Sequence, residues 1–331
     1  MSNIKIKDVA ELAGVSTATV SHVINKTRYV SEKTADRVLH AMQQLNYRPN
    51  HAARSLRSTK TYTIGFIMPV HKEDTSKSFF MSIAEGIEET LKKYGYHVIV
   101  SNSKEDLELE MEQLQLLNDQ ITDGIILATT CNDFHKLKDV LMEDHPLVLI
   151  DRVPNGYAGD SVSIDSYEGT IQAIKHLKNR GYRRIGYAGA DLSISTATKR
   201  LDGFRHIQQE VPNLEDMIFI GKPTYKSGYK MAPQIIQHGL DAVFIANNVL
   251  ATGIVHYLAE HGISIPEEIG IVTFDNFEWT QIVSPSLTVV DQPAYEMGVE
   301  AANLILDRIH SIGKKPVQTV LQPTLIKRNS T

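Results

Sequence analysis

One cysteine in 331 residues, Cys131, removes several chemistries together. A disulfide framework, a thiolate zinc site and a CxxC redox pair each need at least two thiols. Long apolar runs are also missing. No segment approaches the ~20 apolar residues needed to span a bilayer, and the opening MSNIKIKDVA lacks the hydrophobic stretch of a signal peptide. A cytoplasmic location is expected. The chain has no HExxH, no GxSxG, no Walker A loop and no paired zinc ligands, and its 13 histidines are scattered. Neither an enzyme nor a bound cofactor or metal is expected. With 42% apolar residues, the chain is long enough to bury sizeable cores.

Charge is unevenly distributed. Residues 1–60 hold ten Lys and Arg against four Asp and Glu, a net of +6, so residues 61–331 carry 24 basic and 35 acidic side chains, a net of −11. A basic head on an acidic body is the asymmetry expected when one end binds a polyanion and the other does something else.

The basic end has the pattern of a helix-turn-helix. In IKDVAELAGVSTATVSHVIN, residues 6–25, Ile6, Val9, Ala10 and Ala13 recur at helical spacing. Gly14 supplies a turn, Ser16 a cap, and Val20, Val23 and Ile24 an inner stripe. Thr17, Ala18, Ser21, His22 and Asn25 remain on one outward face, small or hydrogen-bonding, as a major groove requires. Ser31 is placed to cap a third helix to about Leu45, closed by Val38, Leu39, Met42 and Leu45. In YRPNHAARSLRSTKT, residues 47–61, Pro49 and Asn50 start a short run with Ala52, Ala53 and Leu56 on one face, flanked by Arg54 and Arg57. Such a run is too short to hold alone in water and suits folding on DNA, arginines on phosphates and Leu56 between base steps of the minor groove. A solvated linker is the plainer reading.

Beyond residue 61 strands and helices alternate. Strand-like runs occur at 62–68, 96–102, 123–129, 146–150, 161–165, 183–189, 217–221, 241–246 and 269–275. Helical patterns such as MSIAEGIEETLKKYG and ATGIVHYLAEHG lie between them. This predicts an α/β body of two parallel-sheet lobes, with chain exchanges near Asp160, Asp291 and Gln322 and a ligand cleft beyond the strand ends. The predicted domains are a helix-turn-helix domain over 1–48, a hinge helix and linker over 49–61, and an effector-binding and dimerisation domain over 62–331. The last divides into an N-subdomain, 62–160 plus 291–321, and a C-subdomain, 161–290 plus 322–331.

Asp151, Asp165, Asn247 and Asp275 finish strand-like runs and gather polar oxygens where ligand hydroxyls can be met. A strand-end Asp also serves simply as a helix N-cap. Phe79, Phe80, Phe274 and Trp279 are candidates to cover a sugar face, and Arg200 in TKRLDGF offers a rigid fork of donors.

VSTATVSHVIN and YRPNHAARSLR resemble the headpiece and hinge of the lactose/purine/ribose repressor family, the LacI/GalR family. His22 puts the headpiece beside the ribose and purine repressors. The resemblance implies that Thr17, Ala18 and His22 face base edges and that Leu56 is the hinge leucine, with Ser21, Asn25, Tyr47, Asn50, Ala53 and Arg54 completing the DNA-binding set. It covers nearly the whole chain. RLDGF, FIANN and VTFDN are similar to the segments that hold effector, which supports Arg200, Asn247 and Asp275; Phe79 and Phe80 align with an aromatic pair bordering the ligand. Two departures are visible. The family commonly has Asn-Asp where this chain has Asn247 and Asn248, and Pro223 stands where several members present an aromatic, with Tyr225 nearby.

LTVVDQP and the amphipathic helix after it, within residues 284–306, resemble the family's return crossover and a helix expected at the subunit interface. No terminal heptad repeat is present, so a homodimer is expected. Members controlled by a phosphorylated carrier protein use a basic residue on this helix, where this chain has Asn303 beside a retained Tyr295. The resemblance implies a repressor that binds a palindromic operator in double-stranded DNA as a homodimer, controlled by a sugar or sugar acid in the cleft. The alternative is the same fold controlled by a purine or by a phosphorylated protein partner. No membrane partner is implied.

Overall fold

The computed structural model describes residues 4–25, 28–47, 60–71, 77–118, 121–141, 145–209, 214–311 and 313–331. The chain divides into two units, 1–61 and 62–331. Asn50, Ala53, Arg54 and Leu56, and with them the expected hinge helix, lie outside the described residues.

The first unit contains helices α1 (Ile6–Ala13), α2 (Thr17–Asn25) and α3 (Glu32–Gln44). Val9, Ala10, Ala13, Val20, Val38 and Ala41 form its core, the helical stripes legible in the sequence. Gly14 turns the chain with φ 62°, a left-handed conformation costly to other residues. The hydroxyl of Ser16 accepts from the Thr19 amide at 3.1 Å and starts α2. Ser31 occupies the N-cap of α3 without capping it: it makes no side-chain bond to the helix backbone, and its hydroxyl pairs with that of Thr34 at 2.9 Å.

The second unit has two six-stranded sheets. The first contains β1 (Thr63–Met68), β2 (His97–Asn102), β3 (Gly124–Leu127), β4 (Leu147–Ile150), β5 (Asp160–Ile164) and, late in the chain, β11 (Gln318–Leu321), in the order β11-β5-β4-β3-β1-β2. The second contains β6 (Ile185–Ala190), β7 (Ile218–Gly221), β8 (Ala242–Ile245), β9 (Gly270–Phe274), β10 (Thr288–Asp291) and β12 (Thr324–Ile326), in the order β12-β10-β9-β8-β6-β7. Every pairing is parallel except β10 with β12. The helices are α4 (Lys77–Lys92), α5 (Leu107–Asn118), α6 (His135–Lys138), α7 (Ser166–Asn179), α8 (Ser195–Ile207), α9 (Tyr225–Gln237), α10 (Asn248–Glu260), α11 (Glu278–Ile282) and α12 (Ala294–His310). GIIL, LVLI, AVFI and GIVTF read as unbroken apolar runs because helices cover both sheet faces, and their residues are almost all buried.

One expectation is corrected. The first exchange between lobes falls after Ile164 rather than near Asp160, because β5 pairs with β4 and β11 in the first sheet. Asp160 is buried and anchors that edge, accepting from the Arg308 guanidinium at 2.7 and 2.9 Å and from the Val317 amide at 2.8 Å. The apolar stripe of α12 is used within the lobe. Met297, Gly298, Ala301, Ala302 and Ile305 join the core formed with α4 and the first sheet. Among the described residues no helix is long and apolar enough to cross a membrane.

Candidate functional site

On α2, Thr17 and Ala18 are exposed and Ser21 and His22 half-buried, all on the side away from the Val20 core. Asn25 ends the helix. Tyr47 is half-buried and packs against the headpiece core, so part of its role is structural. The exposed face carries no acidic side chain, as a surface meeting phosphates and base edges requires.

In the second unit a cavity lies at the strand ends between the lobes, with about 630 Å³ of empty space partly continuous with solvent. Phe79 and Phe80 of α4 line it, edge to face with ring centroids 5.3 Å apart. Asp151 and Arg152 follow β4, Arg200 comes from α8, Asn247 caps α10 and Asn248 starts it, Asp275 follows β9, and Gln292 lies on the crossover after β10. Arg200 is the buried centre of this group. Its guanidinium lies 3.7 Å over the Phe274 ring, its Nη1 donates to the Ala246 carbonyl at 2.6 Å and its Nη2 to Gln292 at 3.3 Å. Its Nε is buried with no partner. Asp275 accepts from Asn248 at 3.1 Å and from the Gln292 amide. The second asparagine, an acid in much of the family, here acts as a donor to that carboxylate.

Backbone strain concentrates here. Of the six non-glycine residues with positive φ among the described residues, Glu105 (60°), Asp151 (66°) and Asp275 (72°) line the cavity. Left-handed backbone at such residues costs of order 1–3 kcal/mol each and persists where surrounding structure over-determines it.

Burial pushes the Asp151 carboxyl above the usual carboxylate range, against the pull of Arg152 and Arg200. Burial lowers the Arg200 guanidinium from its ordinary value, opposed by Asp275 and Asp151. A carboxyl raised on folding contributes stability that is fully present below its unfolded pKa and lost as pH rises through the folded one. Ionised Asp151 is therefore destabilising at neutral pH. Asp151→Asn is expected to raise the melting temperature at neutral pH, by a margin that shrinks as the solution is acidified; a variant less stable than the parent at every pH would overturn this account.

Other candidates fall elsewhere. Asp165 caps α7, accepting from the Glu168 amide at 2.9 Å, and does not line the cavity. Phe274 is wholly buried beneath Arg200, and Trp279 packs into the core of the second lobe. Tyr225 turns to His256 on the helical surface, while Pro223 takes the cavity wall. Asn247 has two roles: its side chain caps α10 through the Leu250 amide at 3.1 Å and it lines the cavity. Sequence reasoning missed Gln292, Arg152 and Glu105. Gln292 had a signal, its place on a predicted crossover, and Arg152 another, its adjacency to Asp151.

Residues 5–50 match the bacterial regulatory proteins of the lacI family, and residues 61–329 match the periplasmic binding proteins and sugar binding domain of the LacI family. The chain belongs to the LacI family. This LacI-family chain is 34% identical to the HTH-type transcriptional repressor PurR of Vibrio atlanticus (strain LGP32), over 98% of each chain. Against the Lac repressor bound to ONPG in the repressed state the TM-score is 0.88 at 26% identity, covering all of both chains. The transcriptional regulator CelR in complex with cellobiose gives 0.73 at 28% identity, covering 99% of this chain and 100% of that one. The protein is thus a LacI-family, DNA-binding transcriptional repressor.

Proposed function

We propose that the protein binds a palindromic operator as a homodimer and is controlled by a sugar or related polyhydroxylated metabolite in the interlobe cavity. The observation that carries the effector reading is the Arg200–Gln292–Asp275–Asn248 network facing the Phe79–Phe80 wall, alternating donors and acceptors beside an apolar surface. Polyols offer adjacent hydroxyls to such alternation and an apolar ring face to such a wall. Relatives described with cellobiose and with ribose support it. The homodimer follows from two-fold matching, because paired headpieces read the half-sites of a palindrome. Ligand acts by changing the relative populations of lobe arrangements that favour or forbid pairing of the two hinge segments in the minor groove, where Arg54 meets phosphate and Leu56 the central step.

Control by a purine is the second reading, supported by the 34% identity to PurR repressors. Pro223 on the wall weighs against it, since the lining aromatics Phe79 and Phe80 stand side by side and Pro223 offers no further ring to sandwich a flat base. Control by a phosphorylated protein at Tyr295 is less well supported. The Tyr295 hydroxyl donates to Glu89 at 2.7 Å with Glu85 and Glu296 nearby, an acidic setting that repels phosphate.

The test is selection of operator from random DNA, then titration of the complex with candidate metabolites. A palindromic site released or tightened by one sugar is expected; an operator indifferent to sugars and sensitive to a purine would replace the first reading with the second. His22→Ala is expected to weaken operator binding by about 1–3 kcal/mol while leaving most nonspecific, salt-sensitive binding intact. Equal losses on both kinds of DNA would remove His22 from base reading.

A further inference from the structure

The cavity wall supplied by the first lobe holds an ion pair that the effector network does not use. Arg152 is bound by Glu105 through two parallel bonds, Nη1 to Oε2 at 2.9 Å and Nη2 to Oε1 at 2.7 Å, and its Nε lies 3.7 Å from Asp151. Both residues line the cavity. We propose that the Glu105–Arg152 pair is a charge filter that excludes anionic ligands from the cavity. The inference rests on the cavity being the effector site.

Charge and geometry lead to the same result. The ionisable side chains lining the cavity are Glu105, Asp151 and Asp275 against Arg152 and Arg200. Their sum is negative with Asp151 ionised and zero with it protonated, so in neither state does the cavity present a net positive field. An anion leaving water for this site would find no counter-charge to offset its lost hydration. Carboxylates and phosphates are best recognised by two N–H groups side by side on one guanidinium. The end-on fork of Arg152 is already filled by Glu105. Both Nη atoms of Arg152 are committed to Glu105, and those of Arg200 to Ala246 and Gln292. The Nε of Arg200 is buried without a partner and can donate to a ligand hydroxyl or carbonyl.

Glu105 is held in place by a specific backbone device. Lys104 and Glu105 are consecutive left-handed residues, with φ 56° and 60°. The Asn102 side chain fixes this turn, accepting from the amides of Val70 at 2.9 Å and Lys104 at 3.0 Å and donating to the Val70 carbonyl at 2.9 Å. A strained turn locked on three sides delivers a carboxylate to a cavity guanidinium that could otherwise receive an anionic ligand.

The test uses the full-length protein and matched pairs of probes: glucose with glucuronate, ribose with ribonate, cellobiose with cellobionate, and adenine with adenosine monophosphate. Thermal stabilisation and release of operator are measured in each case. The parent protein is expected to respond to the neutral member of one pair and not to its charged twin. Glu105→Gln, which frees the Arg152 fork, is expected to raise the affinity for the charged twin relative to the neutral one by at least about tenfold, and adding Arg152→Gln is expected to cancel that gain. A parent protein that answers the charged member as strongly as the neutral one overturns the filter and leaves the effector cavity standing. A parent that answers none of the pairs removes the cavity reading and the filter with it. If Glu105→Gln does not fold, the parent's own discrimination within the pair decides the matter.

Discussion

Arg200→Ala is expected to abolish the response of operator binding to effector and to destabilise the second unit by about 3–5 kcal/mol, the range for removing one partner of a buried charge cluster. The guanidinium donates to the Ala246 carbonyl and Gln292, covers the Phe274 ring and balances Asp151 and Asp275. Alanine leaves the carbonyl unsatisfied and two buried carboxylates with less counter-charge. Arg200→Lys separates the roles, since it keeps the charge and loses the planar fork. It is expected to recover part of the stability and little of the response. Denaturation melts and effector titrations of the operator complex read the two effects, and a fully responsive Arg200→Ala protein would show that the effector binds elsewhere. DNA binding without effector is expected to survive, because Arg200 belongs to the second unit and the recognition residues to the first.

A comparable loss of stability is expected from Gly298→Ala. A Cβ at Gly298 would lie 2.1 Å from the Ile83 carbonyl oxygen, and one at Gly86 would lie 2.2 Å from the Tyr295 carbonyl oxygen, so α4 and α12 touch backbone to backbone. Backbone atoms cannot rotate aside as a side chain can. The helices must separate, opening the core around Ile83, Ile87 and Met297, at a cost of about 3 kcal/mol or more. A melting temperature within a degree or so of the parent's would mean that the helices have room to part. The second lobe repeats the device: Gly228 faces the Leu250 carbonyl and Gly253 that of Tyr225, each at 2.1 Å.

Much of this architecture was legible because burial on both faces writes parallel strands as short apolar runs, and each lobe consists mostly of such strands. The lobe to which a strand belongs is not written locally. SVSID suits either sheet, and only the pairing of β5 with β4 and β11 puts it in the first. β11 went unrecognised because QTVL is an edge strand with alternating exposure, carrying no buried run. The strand-end acids divide in a comparable way. Asp151 and Asp275 turn left-handed after their strands and line the cavity, whereas Asp165 keeps a negative φ and folds its carboxylate onto α7. The sequence shows the same residue type at all three places and is silent on φ. Glu105 was invisible for another reason: its partner, Arg152, is remote in the chain, and only the fold brings them together.

The chain passes between the sheets of the second unit after β5, after β10 and between β11 and β12. In each sheet the strands that deliver these passages are neighbours at one edge, β11 beside β5 and β12 beside β10. Three tethers at one edge of each sheet are the arrangement of a door hinge, which resists sliding and splaying and permits rotation about one axis. Gln292 is part of that hinge, and it is also the residue that holds both Arg200 and Asp275. A ligand competing for those hydrogen bonds would pull on the axle itself, and a contact of a few ångströms would become an angle that grows with distance from the hinge.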